Sequence, residues 1–384
     1  MKNSSLPPHY DVVILGGGPA GAAAAISLKE LRSSLQVAIF EASAYEQWRA
    51  GEALPPGSAE LLDSLGCGAS YRTEGFLESL GARAFWGRSD RPHEHEFLFE
   101  SGGNGWHVDR QRFDAMLCER AQTAGVEVFR ECRFMDARLL HAKRAERPRW
   151  ELVVRERKRR RAVRASFVVD ATGRAASFAV RQSGKKIVAD ALTGVYAIYR
   201  FDESATPPDT YTLVESQEDG WWYSSLLPGS SMAVAWMSDA DLIRKQSLGE
   251  ANLWMEKLSR STHTHNRVVA GQPAGPPRVC TARTQKLSPV FGDSWLAVGD
   301  AASTLDPLSS RGIVKALRSA KFAAMVIVDY LDGLTEALTR FQELLDKEFT
   351  EHQVAKTWIY GLERRWPDSP FWLRRHVPAQ NSAH

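Results

Sequence analysis

The run Asp11-Val-Val-Ile-Leu15 is continuously apolar after its first residue, as a strand buried on both faces of a parallel sheet must be. It passes directly into Gly16-Gly17-Gly18-Pro19-Ala20-Gly21 and then into the alanine-rich residues 22–31. The pattern predicts strand, tight turn and helix in succession. Ala38-Ile39-Phe40-Glu41 ends a second strand, and residues 126–129, 150–155 and 167–169 read as further strands. Arg155-Glu-Arg-Lys-Arg-Arg-Arg161 lies between two of these and reads as a solvated hairpin tip rather than a docking patch. Between residues 190 and 280 short strand-like runs over 195–201, 211–215, 221–227 and 232–237 alternate with Pro, Gly and Asp turns, predicting an antiparallel sheet. Residues 241–262 then predict one helix, with Leu242, Leu248, Leu253 and Leu258 on its apolar face. Helical periodicity returns over 312–331 and 334–361.

Composition narrows the function. The 384 residues suffice for two domains and a large core. A net charge of +3 argues against a nucleic-acid partner. Four scattered cysteines with no C-x-x-C pair exclude a disulfide scaffold and a Cys-rich zinc site. His93 and His95, at i and i+2, could suggest a metal site, but with no third ligand near them they read as an exposed alternating strand; no metal is expected. Residues 1–10 lack the apolar core of a leader, and the apolar stretch 12–28 is interrupted by glycines. The chain is therefore expected to be cytoplasmic, with no membrane partner. Its 12 tryptophans are unusually many.

The glycine segment has the G-x-G-x-x-G spacing of a dinucleotide site. Gly16 permits the turn, Gly18 lets a pyrophosphate approach the backbone, with Ala20 alongside, and Gly21 lets helix pack on strand. The helix start offers free N–H groups to phosphate. Glu41 stands where an acid accepts the ribose hydroxyls. This pattern does not distinguish FAD from NAD.

A second strand–turn–helix segment follows near residue 300: Ala297-Val-Gly299-Asp300-Ala-Ala-Ser-Thr-Leu-Asp306-Pro307, then Gly312 and Ile313. It resembles the ribityl-binding segment of the flavin monooxygenase and flavin halogenase superfamily. The resemblance implies FAD as cofactor, with Gly299 and Asp300 at the ribityl chain and Pro307, Gly312 and Ile313 against the flavin ring. Arg49-Ala-Gly51-Glu52 and Arg110 match the family's FAD-contact arginines. The implied architecture is α/β: a Rossmann-like FAD-binding domain (residues 1–80, 105–190 and 280–332), an antiparallel β-sheet substrate domain (81–104 and 191–279) and a helical C-terminal cap (333–384), as in class A flavin monooxygenases.

Three departures argue against halogenation. No lysine occurs between Lys29 and Lys143, Ser309 replaces the halogenase glutamate, and the W-x-W-x-I-P place reads Gly220-Trp-Trp-Tyr-Ser-Ser-Leu-Leu-Pro228. Thr172 replaces the aspartate of single-component hydroxylases, so the electron donor is either NAD(P)H or a separate flavin reductase. Gly51-Glu-Ala-Leu-Pro-Pro56, Asp306-Pro-Leu-Ser-Ser-Arg-Gly312 and Glu363-Arg-Arg-Trp-Pro-Asp-Ser-Pro-Phe-Trp-Leu-Arg-Arg375 resemble the LodB, GoxB and QhpG type of flavoprotein. That resemblance implies hydroxylation of a tryptophan in a precursor enzyme polypeptide during quinone-cofactor biogenesis. A small aromatic or natural-product substrate, and a flavoprotein chaperone, are the alternatives. His107 and Tyr223 are the candidate catalytic groups, either one suited by type to assist loss of an indole or phenol proton. Trp221 and Trp222 are expected to wall the pocket, and the C-terminal aromatic segment to pack on the FAD domain.

Overall fold

The first apolar run forms strand His9–Leu15, with parallel partners on both sides. Ile14 lies opposite Val169 of strand Arg159–Asp170 and opposite Ile39 of strand Val37–Phe40. Glu127–Phe129 and Trp295–Ala297 extend the parallel row outward. Strand Arg149–Glu156 turns back on Arg159–Asp170 as an antiparallel hairpin with its turn at Arg157 and Lys158, so the arginine run does form a hairpin tip. The computed structural model describes residues 8–87, 91–140, 149–202, 204 and 208–376. Residues 1–7 of the expected FAD domain and 377–384 of the expected cap lie outside the described residues.

Helix Pro19–Leu31 is buried from Pro19 to Leu28 and packs against helices Arg110–Thr123 and Gly312–Leu331. Its run of alanines lets these helices approach closely while exposing little polar surface. Among the described residues no helix is long and apolar enough to cross a membrane.

The second large sheet is ordered Gly271–Pro273, Leu192–Phe201, Ser231–Asp239, Gly220–Leu227, Thr212–Gln217, Gly81–Phe85, His93–Glu96. Its pairs are antiparallel except that of Gly81–Phe85 with Thr212–Gln217, which is parallel. That strand enters from a distant part of the chain, so no hairpin constrains its direction. His93–Glu96 forms the exposed edge strand.

The stretch 241–262 is not one helix. It divides into Ala240–Lys245 and Ala251–Ser259, followed by a third helix, His263–Val268. Ser247 takes a left-handed φ of 52°, and Gly249 follows it, so the backbone turns between the two apolar groups.

The C-terminal segment contacts both domains. Helix Glu336–Gly361 buries Ala337, Leu338, Phe341 and Leu345 in the FAD-domain core. Its end, with helix Pro370–His376, packs instead on the second sheet. Phe371 and Trp372 are fully buried beside Trp86 and Trp221, and Trp372 Nε1 donates to the Gln217 carbonyl at 3.0 Å. The buried Glu363 carboxylate accepts from Ser216 Oγ at 2.6 Å and Gly87 N at 2.9 Å. The aromatic signature is thus chiefly a clamp on the second sheet. The expectation that it packs on the FAD domain is met by the preceding helix, and the Phe371–Trp372 cluster also takes in Ala282, with Trp48, Ala50 and Leu308 packed against it.

Candidate functional site

The parallel sheet ends at the mouth of a cavity of about 610 Å³ that continues under the second sheet, a size typical of cofactor sites. Gly16 stands at its start with φ +105°; a Cβ there would meet the Ala171 carbonyl oxygen at 2.3 Å. A Cβ on Gly21 would lie 1.9 Å from the Gly16 oxygen, which fixes that residue as the helix–strand contact. Gly18 differs, since the nearest atom to its Cβ position is Arg49 Nη1 at 3.9 Å. It caps helix Pro19–Leu31 with no side-chain hydrogen bond, so the first-turn N–H groups are available to an anion. This open, glycine-lined helix start fits a pyrophosphate.

Glu41 ends the second strand, and its carboxylate organises the turn. Oε2 accepts from Gly17 N at 2.7 Å, and Oε1 accepts from Ser43 N at 2.9 Å and Arg49 Nη2 at 3.1 Å. Tyr45, buried, donates to the Gly17 carbonyl at 2.7 Å. Arg49 and Arg110 converge on Asp114, which is fully buried. Arg49 Nη1 donates to Oδ2 at 2.8 Å and Arg110 Nε to Oδ1 at 3.0 Å. Arg110 Nη1 also donates to the Ala50 carbonyl at 2.8 Å. Asp114 therefore sets both arginine planes.

At the other end Asp300 lies 3.7 Å from both Arg174 and Lys315. Lys315 is buried, and burial pushes its pKa down; its ammonium bonds the Gly299 carbonyl at 3.2 Å and the Ser303 carbonyl. Asp306 caps the Pro307 turn through Leu308 N at 3.0 Å. Helix Gly312–Leu331 starts with no side-chain cap, and its first two residues line the cavity. A helix start placed there favours developing negative charge on a bound ring. The two helix starts, with Glu41 and Asp300 at the two ends, fit an FAD molecule.

Among the residues expected to bind cofactor, Gly16, Gly18, Ala20, Glu41, Arg49, Arg110, Asp300, Pro307, Gly312 and Ile313 line the cavity. Gly21 and Gly299 lie behind it as backbone supports. Thr172 also lines it, its hydroxyl donating to the buried Asp170 at 2.6 Å. Tyr196, Trp221 and Tyr223 form the wall contributed by the second sheet. Trp222 does not join them. Alternation along the strand sends it to the opposite face, where it packs on Trp236 and Trp254.

The two candidate catalytic groups part company. His107 is fully buried outside the cavity lining, with Nε2 2.9 Å from Thr212 Oγ1. Burial, and secondarily Arg267, push its pKa down to about 4, so it is neutral near pH 7. Tyr223 lines the cavity and donates to Ser225 Oγ at 3.0 Å. Burial and then the nearby Glu52 charge raise its pKa well above the usual phenol value, making it a hydrogen-bond donor and a poor base. Asp114, Tyr45, Lys315 and Glu52 escape a sequence reading. Only the i, i+4 spacing of Arg110 and Asp114 on one helix gives a signal.

Comparison with known proteins points to the same cofactor. The family model described as FAD binding domain matches residues 9–338. The chain is 30% identical over 371 residues to a protein named as the FAD-dependent oxidoreductase LodB of Marinomonas mediterranea, covering 96% of this chain and 97% of LodB. The fold is shared with the myxobacterial chondrochloren halogenase CndH, at a TM-score of 0.87 and 21% identity, covering 98% of this chain and 87% of that one. It is also shared with the peptidyl tryptophan dihydroxylase QhpG, essential for tryptophylquinone cofactor biogenesis, at 0.73 and 24%, covering 98% and 80%.

Proposed function

The chain belongs to the FAD-binding domain family and is an FAD-dependent oxidoreductase, and from that premise we propose that it hydroxylates a tryptophan side chain of a partner polypeptide during quinone-cofactor biogenesis. Bound FAD would supply the electrons that activate dioxygen. Residues of this chain bind the cofactor, align the indole and exclude water. The observation that carries the reading is the continuity of the FAD cradle with a wall of Tyr196, Trp221 and Tyr223, shaped for a flat aromatic group. The shared fold with QhpG, a peptidyl tryptophan dihydroxylase, supports tryptophan as that group, and the end-to-end likeness to LodB supports FAD-dependent oxidation.

Hydroxylation is favoured over halogenation because, among the described residues, no lysine lines the cavity. The nearest buried lysine, Lys315, is committed to backbone oxygens. Reducing the FAD-loaded protein with NADPH or dithionite and then admitting air separates the readings. Oxygen gained on a partner tryptophan supports the proposal. Turnover of a free aromatic, or an unmodified partner that stays bound, favours a small-molecule hydroxylase or a maturation chaperone. NADPH that reduces the flavin directly makes a separate reductase unnecessary.

A further inference from the structure

Glu52 lies in the wall of the aromatic chamber and is 2% exposed. Its Oε2 accepts from Gly51 N at 2.6 Å, whereas its buried Oε1 has no hydrogen-bond partner. Such an atom is costly to leave unpaired, and a ligand donor is one way to satisfy it. The Glu52 backbone is fixed, since its carbonyl accepts from Val108 N at 2.9 Å.

The charged and titratable groups around Glu52 leave it this role. Arg110 is close enough to favour the carboxylate, but four of its five N–H groups go to Asp114 and the Ala50 and Gly51 carbonyls. Tyr196 and Tyr223 face it from the substrate sheet, and both phenols are pushed up by burial and then by the Glu52 charge. His107, on the strand paired with Ala53, turns to Thr212. Burial raises the Glu52 carboxyl to about 7, with Gly51 N–H and Arg110 offsetting only part of the shift.

We propose that Glu52 is the proton acceptor of the chamber, its free Oε1 taking the hydrogen bond of an aromatic N–H or O–H group and holding that proton while the ring is oxidised. The inference rests on the aromatic-substrate reading above and deepens it. Dioxygen supplies the oxygen atom, the donor-reduced flavin supplies two electrons, and the second oxygen leaves as water. The ring proton moves to Glu52 as the carbon–oxygen bond forms. It returns to the ring nitrogen or oxygen when that carbon loses its own hydrogen as a proton to water, so Glu52 ends unchanged.

The test uses FAD-loaded protein with indole and 1-methylindole as probes. Infrared titration of the wild type should show a protonated-carboxyl band that disappears around pH 7 and is missing from Glu52→Gln. Indole should bind roughly tenfold tighter one pH unit above the Glu52 midpoint than one unit below it. 1-Methylindole should show no such change, and Glu52→Gln should remove the pH dependence for indole. Equal pH profiles for the two rings in the wild type overturn the role of Glu52 and leave the aromatic chamber standing. Failure of both rings to bind overturns the Glu52 proposal and leaves the partner-tryptophan reading to its own oxygen-transfer test. The two-probe comparison needs no variant to fold.

Discussion

The Tyr360 hydroxyl lies 3.1 Å from Asp306 Oδ2 and donates to it, while accepting the Trp221 indole N–H at 3.0 Å. This buried chain joins the end of the C-terminal helix to the Pro307 turn on one side and to the chamber wall on the other. The clamp on the second sheet thereby bears on the place where the flavin ring is expected. Tyr360→Phe should cost about 1–3 kcal/mol, since it strips a donor from a buried carboxylate and an acceptor from a buried indole. Denaturant unfolding measures that loss, and FAD titration should show weaker retention of the cofactor.

The two glycines of the first turn should separate fold from binding. Gly21→Ala forces a Cβ to 1.9 Å from the Gly16 backbone oxygen and should lower the melting temperature or abolish folding. Gly18→Ala meets only the end of Arg49 at 3.9 Å. It should fold with near-normal stability but lose FAD affinity, because the added methyl occupies the approach of the pyrophosphate. Equal FAD affinity in Gly18→Ala and wild type would contradict the cradle.

Asp114 holds Arg49 and Arg110 from a fully buried position. Asp114→Asn keeps the shape and removes the charge. Breaking such an arrangement typically costs about 3–5 kcal/mol, less here because Arg49 remains partly exposed. FAD affinity should fall at least roughly tenfold, about 1.4 kcal/mol, as both guanidinium planes lose their common support.

Glu52 links the chamber to stability through pH. Its folded pKa, about 7, lies above the ordinary 4.5, so the folded protein binds the proton more tightly than the unfolded chain. The resulting stabilisation is complete below about pH 4.5 and is lost as pH rises through about 7. Between those limits wild-type stability should fall relative to Glu52→Gln, by on the order of 2–3 kcal/mol in total. Parallel stability–pH curves for the two proteins would contradict a neutral carboxyl in the chamber wall.

Local signals made the nucleotide site legible. Gly16, Gly18, Gly21 and Glu41 follow from one strand–turn–helix unit and the strand after it, and Asp300 to Ile313 from another. The chamber was harder to read, because its polar groups meet across long separations. Tyr360 and Asp306 are 54 residues apart, and Arg49 and Asp114 are 65 apart. Glu52 gives no chemical sign in sequence, since its burial in the folded chain is what changes its acidity. His107 shows the converse, a plausible base whose ring folds away from the cavity. The expected helix over 241–262 broke at Ser247 because leucine spacing records burial but not a left-handed backbone turn.

The central claim is oxygen transfer to a partner tryptophan, and isotopically labelled dioxygen tests it most directly. The reduced FAD-loaded protein is exposed to labelled dioxygen with the quinoprotein precursor encoded nearest its gene, and the partner's peptides are mapped by mass spectrometry. The account predicts labelled oxygen on a tryptophan side chain of the precursor, dependent on reduced flavin. Flavin reoxidation with every precursor tryptophan unmodified, or halogen gained in place of oxygen when halide is supplied, would contradict it.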